Sequence, residues 1–176
     1  MTKLKEYQMF INGSWIESEN KKTFETLNPE NNEPWAKVPE ASAKDVDKAV
    51  RAAQKAFDGE WPKLFPKERA KYLKEIANQL RENAEHLGKI ETIDTGKLYK
   101  ETKTQANYIA EYYDYYAGLA DKVEGTVLPI DKANMQVITT RVPIGVVAAI
   151  IPWNSQMLLT AVKLAPALAM GKYNSN

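Results

Sequence analysis

The chain has 176 residues, 44% hydrophobic and 27% charged, with a formal net charge of +1 and no cysteine. That composition suits one globular domain, or one domain plus part of another. The near-neutral charge provides no basic face for nucleic acid, and the lack of cysteine excludes disulfides, cysteine-ligated metals and a thiol nucleophile from these residues.

The first residues, Met1 to Met9, carry no apolar core of a secretory signal. Met9 to Ile16 alternates around Asn12-Gly13, a pair suited to the positive φ angles of a two-residue hairpin turn. Asn12-Gly13-Ser14 also spells a glycosylation sequon, which carries little weight without a secretion signal. Thr23 to Leu27 reads as a further strand stopped by Asn28-Pro29. Ser42 with Asp45 forms a capping-box pattern. Behind it Val46, Ala49, Val50, Ala53 and Phe57 make one apolar stripe of a helix ending at Gly59. Pro66 suits the first turn of a second helix, with Ala70, Leu73, Ile76, Ala77 and Leu80 at helical spacing. A third helix runs from about Ala84 to Thr95 and ends at Gly96. A fourth spans about Glu101 to Asp121, with Ile109, Tyr112, Tyr113, Tyr116 and Leu119 near one face.

From Gly125 the periodicity changes. Gly125–Ile130 and Met135–Val142 read as two strands of a ribbon. Ile144 to Ile151 is a continuous apolar run, the pattern of a parallel strand buried on both faces. Met157 to Met170 reads as an apolar helix containing Pro166, a residue expected to kink it or loosen one turn. The apolar run from Val142 to Trp153 is too short for a bilayer span, which takes about 20 such residues. A cytoplasmic protein contacting neither membrane nor nucleic acid is the expectation.

Four stretches, in order, carry a resemblance. They are Phe10-Ile-Asn-Gly-Ser-Trp15 with Asn28-Pro29 downstream; Glu91-Thr-Ile-Asp-Thr-Gly-Lys97; Tyr115 through Gly118 to Gly125; and Pro143-Ile-Gly-Val-Val through Pro152-Trp-Asn154 to Lys163-Leu-Ala-Pro-Ala-Leu-Ala169. Together they resemble the aldehyde dehydrogenases. The resemblance implies an α/β fold: the N-terminal part of a Rossmann-type cofactor domain, incomplete, with a β-ribbon oligomerisation arm. Residues 1–124 would hold the N-terminal β elements and helices, 125–142 the arm, and 143–176 the first strand and helix of the Rossmann-type core.

The same resemblance implies oxidation of an aldehyde to a carboxylic acid with NAD or NADP. In that family a cysteine thiolate attacks the aldehyde, hydride leaves to the nicotinamide, and a glutamate-activated water hydrolyses the thioester. It assigns Asn154 as a side-chain amide stabilising the oxyanion, a role that suits a fixed neutral donor. Ile150, Ile151, Pro152 and Trp153 match a segment lying along the cofactor's ribose and nicotinamide. Thr26, Leu27 and Asp94 match groups holding a monovalent cation. The ribbon would pair with a partner subunit, making the intact protein a homo-oligomer.

Two departures stand out. Ser155-Gln156 replaces the aromatic residue and proline common after the asparagine. The sequence Met170-Gly-Lys-Tyr-Asn-Ser-Asn176 lacks the expected strand and its ribose-binding lysine, as a shifted frame or early stop would. The nucleophilic cysteine, the general-base glutamate and the glycine-rich cofactor turn match nothing here. The expectation is a chain inactive alone. The alternatives are a non-catalytic fragment that pairs with a full-length relative, and a truncated product without function.

From local sequence alone, Asn154 and Ser155 also suit a turn and helix cap. Glu91 and Asp94 share a helical face and could imitate a carboxylate pair, but a surface or cation-site role is the expectation rather than glycosidase chemistry. His86, the single histidine, reads as solvated, and the tyrosines between 112 and 116 read as helix packing.

Overall fold

The computed structural model describes residues 4–171. The last five residues of the polar tail that departs from the family pattern, 172–176, lie outside the described residues.

The expected hairpin forms from β2 (Met9–Ile11) and β3 (Ser14–Ile16), antiparallel with Phe10 opposite Trp15. Asn12 and Gly13 take φ of 53° and 76°, the left-handed pair this turn requires. The Thr23 strand is β4 (Thr23–Asn28). It pairs antiparallel with β5 (Glu33–Pro39), which also takes β1 (Lys5–Glu6) in parallel, giving the order β1-β5-β4. The pattern did not reveal β5, because prolines argue against a central strand. Both prolines are tolerated because β1 reaches only Ala36 and Lys37, so Pro34 and Pro39 each face a single neighbour.

Helix α1 (Ala43–Asp58) begins with the expected capping box. The Ser42 hydroxyl accepts from Asp45 N, and the Asp45 carboxylate accepts from Ser42 N at 2.9 Å. Asp45 also accepts from Glu19 N, tying the loop before the helix to its first turn. The apolar stripe of α1 is only partly covered. Val46 and Val50 remain 55% and 50% exposed, because no described element packs over them.

The body of the molecule is helical. Pro66 opens α2 (Pro66–Glu82), and the Glu68 carboxylate accepts from Phe65 N at 2.7 Å. Then come α3 (Ala84–Thr95), α4 (Tyr99–Leu119) and α5 (Gln156–Ala169). Leu73 and Ala77 of α2 meet Ile109, Ala110, Tyr113 and Ala117 of α4 and Ala161, Ala165 and Ala169 of α5 in one buried cluster. The alanines let helix axes approach closely while staying good helix formers. Helix α3 lies tight on α4 at Gly88, where a Cβ would stand 2.9 Å from the Lys103 backbone. It ends at Gly96, whose φ of 74° suits a C-terminal cap. At the far end of α5 the buried Arg69 donates from Nε to Ala169 O (3.1 Å) and from a terminal nitrogen to Leu64 O (2.6 Å). Desolvation of this guanidinium lowers its pKa.

The ribbon is present but short. Only β6 (Val127–Leu128) and β7 (Val137–Ile138) pair, antiparallel. The expected strand over Ile144–Ile151 has no regular structure here, and Ile144 and Ile150 are 93% and 90% exposed. A strand consists of its hydrogen bonds to neighbours, and no described residue supplies one along this run. The apolar pattern is that of a buried strand, while the covering layers are absent among the described residues.

Candidate functional site

Asn154 lies in the two-residue turn Trp153-Asn154 that leads into α5. Its side chain is exposed, as is Trp153 at 78%, Pro152 and Ile150, whereas Ile151 is half-buried. The next residue behaves oppositely. Ser155 occupies the N-cap of α5 and is 8% exposed. Its carbonyl accepts the first helical bond from Leu159 N at 2.9 Å, but its hydroxyl makes no cap bond. The hydroxyl oxygen instead accepts from Lys97 Nζ at 2.8 Å and from Gln105 Nε2 at 3.1 Å. Lys97 Nζ also reaches Glu91 Oε1 at 3.2 Å. Glu91 is buried, and its other oxygen has no partner among the described residues.

A second polar chain runs alongside. Thr26 donates to Asp94 Oδ1 at 2.7 Å, and Gln156 Nε2 donates to Asp94 Oδ2 at 2.9 Å. The structure thus joins Thr26 and Asp94, residues 68 apart in sequence, and adds Gln156, whose Oε1 is buried without a partner among the described residues. Leu27 follows Thr26 on β4, opposite Pro34, with its side chain 45% exposed. Among the described residues, no group of three or more His, Asp or Glu side chains could hold a metal ion.

Four elements therefore converge beneath the 153–154 turn: β4, the end of α3 with the Gly96-Lys97 loop, α4 through Gln105, and the start of α5. Sequence reasoning found Thr26, Asp94 and Asn154 but missed Lys97, Gln105, Ser155 and Gln156 as partners. A signal was available: polar residues at 155 and 156, where the family pattern is apolar, require buried polar partners nearby. Glu91 and Asp94 are not an acid–base pair, since each is committed to a different partner. His86 is exposed, as expected. A cleft of about 600 Å³ lies elsewhere, lined by Arg69, Glu124, Thr140, Arg141 and Ile144, and does not include Asn154. No helix among the described residues is long and apolar enough to cross a membrane.

The aldehyde dehydrogenase family model matches residues 15–173. The chain belongs to the aldehyde dehydrogenase family. It is 48% identical over 169 residues to (Z)-2-((N-methylformamido)methylene)-5-hydroxybutyrolactone dehydrogenase of Acinetobacter baylyi, covering 96% of this chain and 34% of that one. It is 43% identical over 166 residues to betaine aldehyde dehydrogenase of Bacillus subtilis, covering 93% and 34%. Among solved structures, an aldehyde dehydrogenase variant from Bacillus cereus superposes with a TM-score of 0.91 at 38% identity, covering 95% of this chain and 34% of that one. Betaine aldehyde dehydrogenase from Staphylococcus aureus, solved with NAD+, gives 0.88 at 37% identity, covering 94% and 33%. The chain thus spans about a third of the length of the relatives it matches. The expected fold class agrees with these neighbours: the helices and small sheets are those of the N-terminal part of the family's domain.

Proposed function

We propose that this chain supplies the oxyanion donor and part of the cofactor ledge of an NAD(P)-dependent aldehyde dehydrogenase, and that by itself it does not oxidise aldehydes. The observation that supports this reading most is the Trp153-Asn154 turn: an exposed amide donor held by a buried, fully engaged Ser155. Such a donor stabilises charge that develops on an aldehyde oxygen during attack, and does so without reorganising at that moment.

The ledge from Ile150 to Trp153 fits one part of a dinucleotide. It offers exposed apolar surface and carries no charged side chain, which suits a ribose and nicotinamide ring. Bound there, the cofactor would accept the hydride. Thr26 and Asp94, with Leu27 next to Thr26 on β4, are the groups that would hold a monovalent cation, and the Gln156 side chain, bonded to Asp94, would add a further acceptor. The thiolate is a different matter. These 176 residues contain no cysteine, and a serine needs an adjacent base to become a nucleophile. Ser155 has its oxygen occupied by two donors and is buried, so it does not substitute.

The test is spectrophotometric. Pure chain with NAD+ or NADP+ and a panel of short and aromatic aldehydes is expected to form no reduced cofactor. Turnover proportional to chain concentration would overturn the proposal. A second reading has its own support: the ribbon leaves Val127 60% and Ile138 59% exposed, so the chain pairs with a full-length relative as a non-catalytic module, and the intact protein is a homo-oligomer. Coexpression with such a relative should then copurify the chain, and a ribbon carrying Val127→Asp should not. The cytoplasmic assignment and the division at residues 124 and 142 belong to the same proposal, checked by fractionation and by limited proteolysis.

A further inference from the structure

Lys97 is placed against the usual electrostatics of its surroundings. Its ammonium stands 2.8 Å from the hydroxyl at the N-cap of α5. The N-terminal end of a helix carries partial positive charge and disfavours a cation. An N-cap serine ordinarily turns its hydroxyl toward the orphan N–H groups of the first turn. Here that hydroxyl turns away, held by Lys97 and Gln105, and Glu91 offsets the added charge from the other side. The arrangement gives up an ordinary cap bond and instead fixes residue 155 sideways between α3, α4 and α5. Residue 154, directly before it, is the exposed amide.

We infer that Lys97 is a positioning residue for Asn154, acting through Ser155. This rests on the reading of Asn154 as the oxyanion donor. Lys97 itself touches no reacting atom; it sets the direction of the turn by bracing the hydroxyl one residue further on. Gln105 provides the second brace, and Glu91 keeps the ammonium in place. With Lys97 gone, Ser155 keeps only its contact with Gln105, and the turn before it loosens.

The full chain, labelled with ¹⁵N, tests this by nuclear magnetic resonance. In the unsubstituted chain the backbone amides of Trp153 to Gln156 should show order parameters near the rigid value, about 0.85. Lys97→Met should shift the Asn154 side-chain amide resonances and lower the backbone order parameter at 153–154 below about 0.6, the flexible range. Lys97→Arg, which keeps a charged donor for Ser155 and Glu91, should restore both. Ser155→Ala should reproduce the Lys97→Met shifts, and it serves as the second route should Lys97→Met unfold. Lys97→Met should also lower the melting temperature, because it leaves the buried Glu91 carboxylate without its cation; Ser155→Ala keeps that ion pair, so Asn154 shifts shared by the two variants separate positioning from general stability. Unchanged Asn154 signals in both Lys97→Met and Ser155→Ala, or a 153–154 turn already flexible in the unsubstituted chain, would overturn the inference. These readouts need no catalysis. If the clamp is confirmed while no assembly carrying this chain reduces NAD(P)+, the oxyanion reading fails and the clamp stands.

Discussion

The apolar side chains of the helical body and those of the segment from Val142 to Trp153 meet opposite fates. In the body, Leu73, Ala77, Ile109, Ala110 and Ala165 are essentially inaccessible, within the cluster where α2, α4 and α5 meet. In the segment, Val142, Ile144, Val147 and Ile150 are 64–93% exposed. The helices satisfy their own backbone groups and need only a partner face. A strand needs neighbours for its hydrogen bonds before its side chains can be buried. The difference shows that hydrophobic pattern reports what a segment is suited to meet, and that burial depends on whether the partner is there.

The largest expected effect lies in the body. Leu73→Ala removes a fully buried side chain from the meeting point of α2, α4 and α5 and should cost about 2–5 kcal/mol, measured by urea denaturation. Ala165→Leu should cost about 1–3 kcal/mol by forcing α5 off α4; a smaller loss would mean the interface is looser than the alanine packing implies. Asp94→Ala leaves Thr26 and Gln156 without their shared acceptor and should cost about 1–3 kcal/mol, while Asp94→Asn should recover part of that.

Next comes the cap of α1. The Ser42 backbone N–H and hydroxyl, then Glu19 N and Lys48, hold the Asp45 carboxyl below its usual 3.8. A group with a lowered folded-state pKa contributes fully above its unfolded value and loses that contribution as pH falls through the folded one. Stability should therefore decline on acidification below about pH 4, and Asp45→Asn should flatten that part of the profile in melts taken across pH. Tyr112, pushed up to about 12 chiefly by the neighbouring Tyr116 hydroxyl, should stay protonated when exposed tyrosines ionise in an alkaline absorbance titration. The smallest expected effect lies in the exposed segment, where Ile150→Ala should change stability by less than about 0.5 kcal/mol. A loss comparable with that of Leu73→Ala would erase the contrast between the two regions.

Much of this organisation was legible in the residues. Asn12-Gly13, the Ser42–Asp45 box, Pro66 and Gly96 are local devices whose geometry follows from one or two side chains, and each forms where expected. Strand β5 was not legible, because its prolines disguise a strand whose short neighbour leaves them free. The exposure of α1's stripe and of residues 144–151 was not legible either, since no local pattern states whether a covering layer exists. At the site, Thr26, Asp94 and Asn154 were reached through resemblance. The Lys97–Ser155–Gln105 brace was not, because it joins side chains 50 to 58 residues apart through contacts that no spacing encodes.

Amide hydrogen exchange on the 176-residue chain tests the contrast most directly. The account predicts strong protection across α2, α4 and α5, and exchange at nearly unprotected rates from Val142 to Trp153. Protection of the 144–151 amides equal to that of α4 would show that this segment is already a paired strand in the chain alone, and would contradict the view that its partners must come from elsewhere.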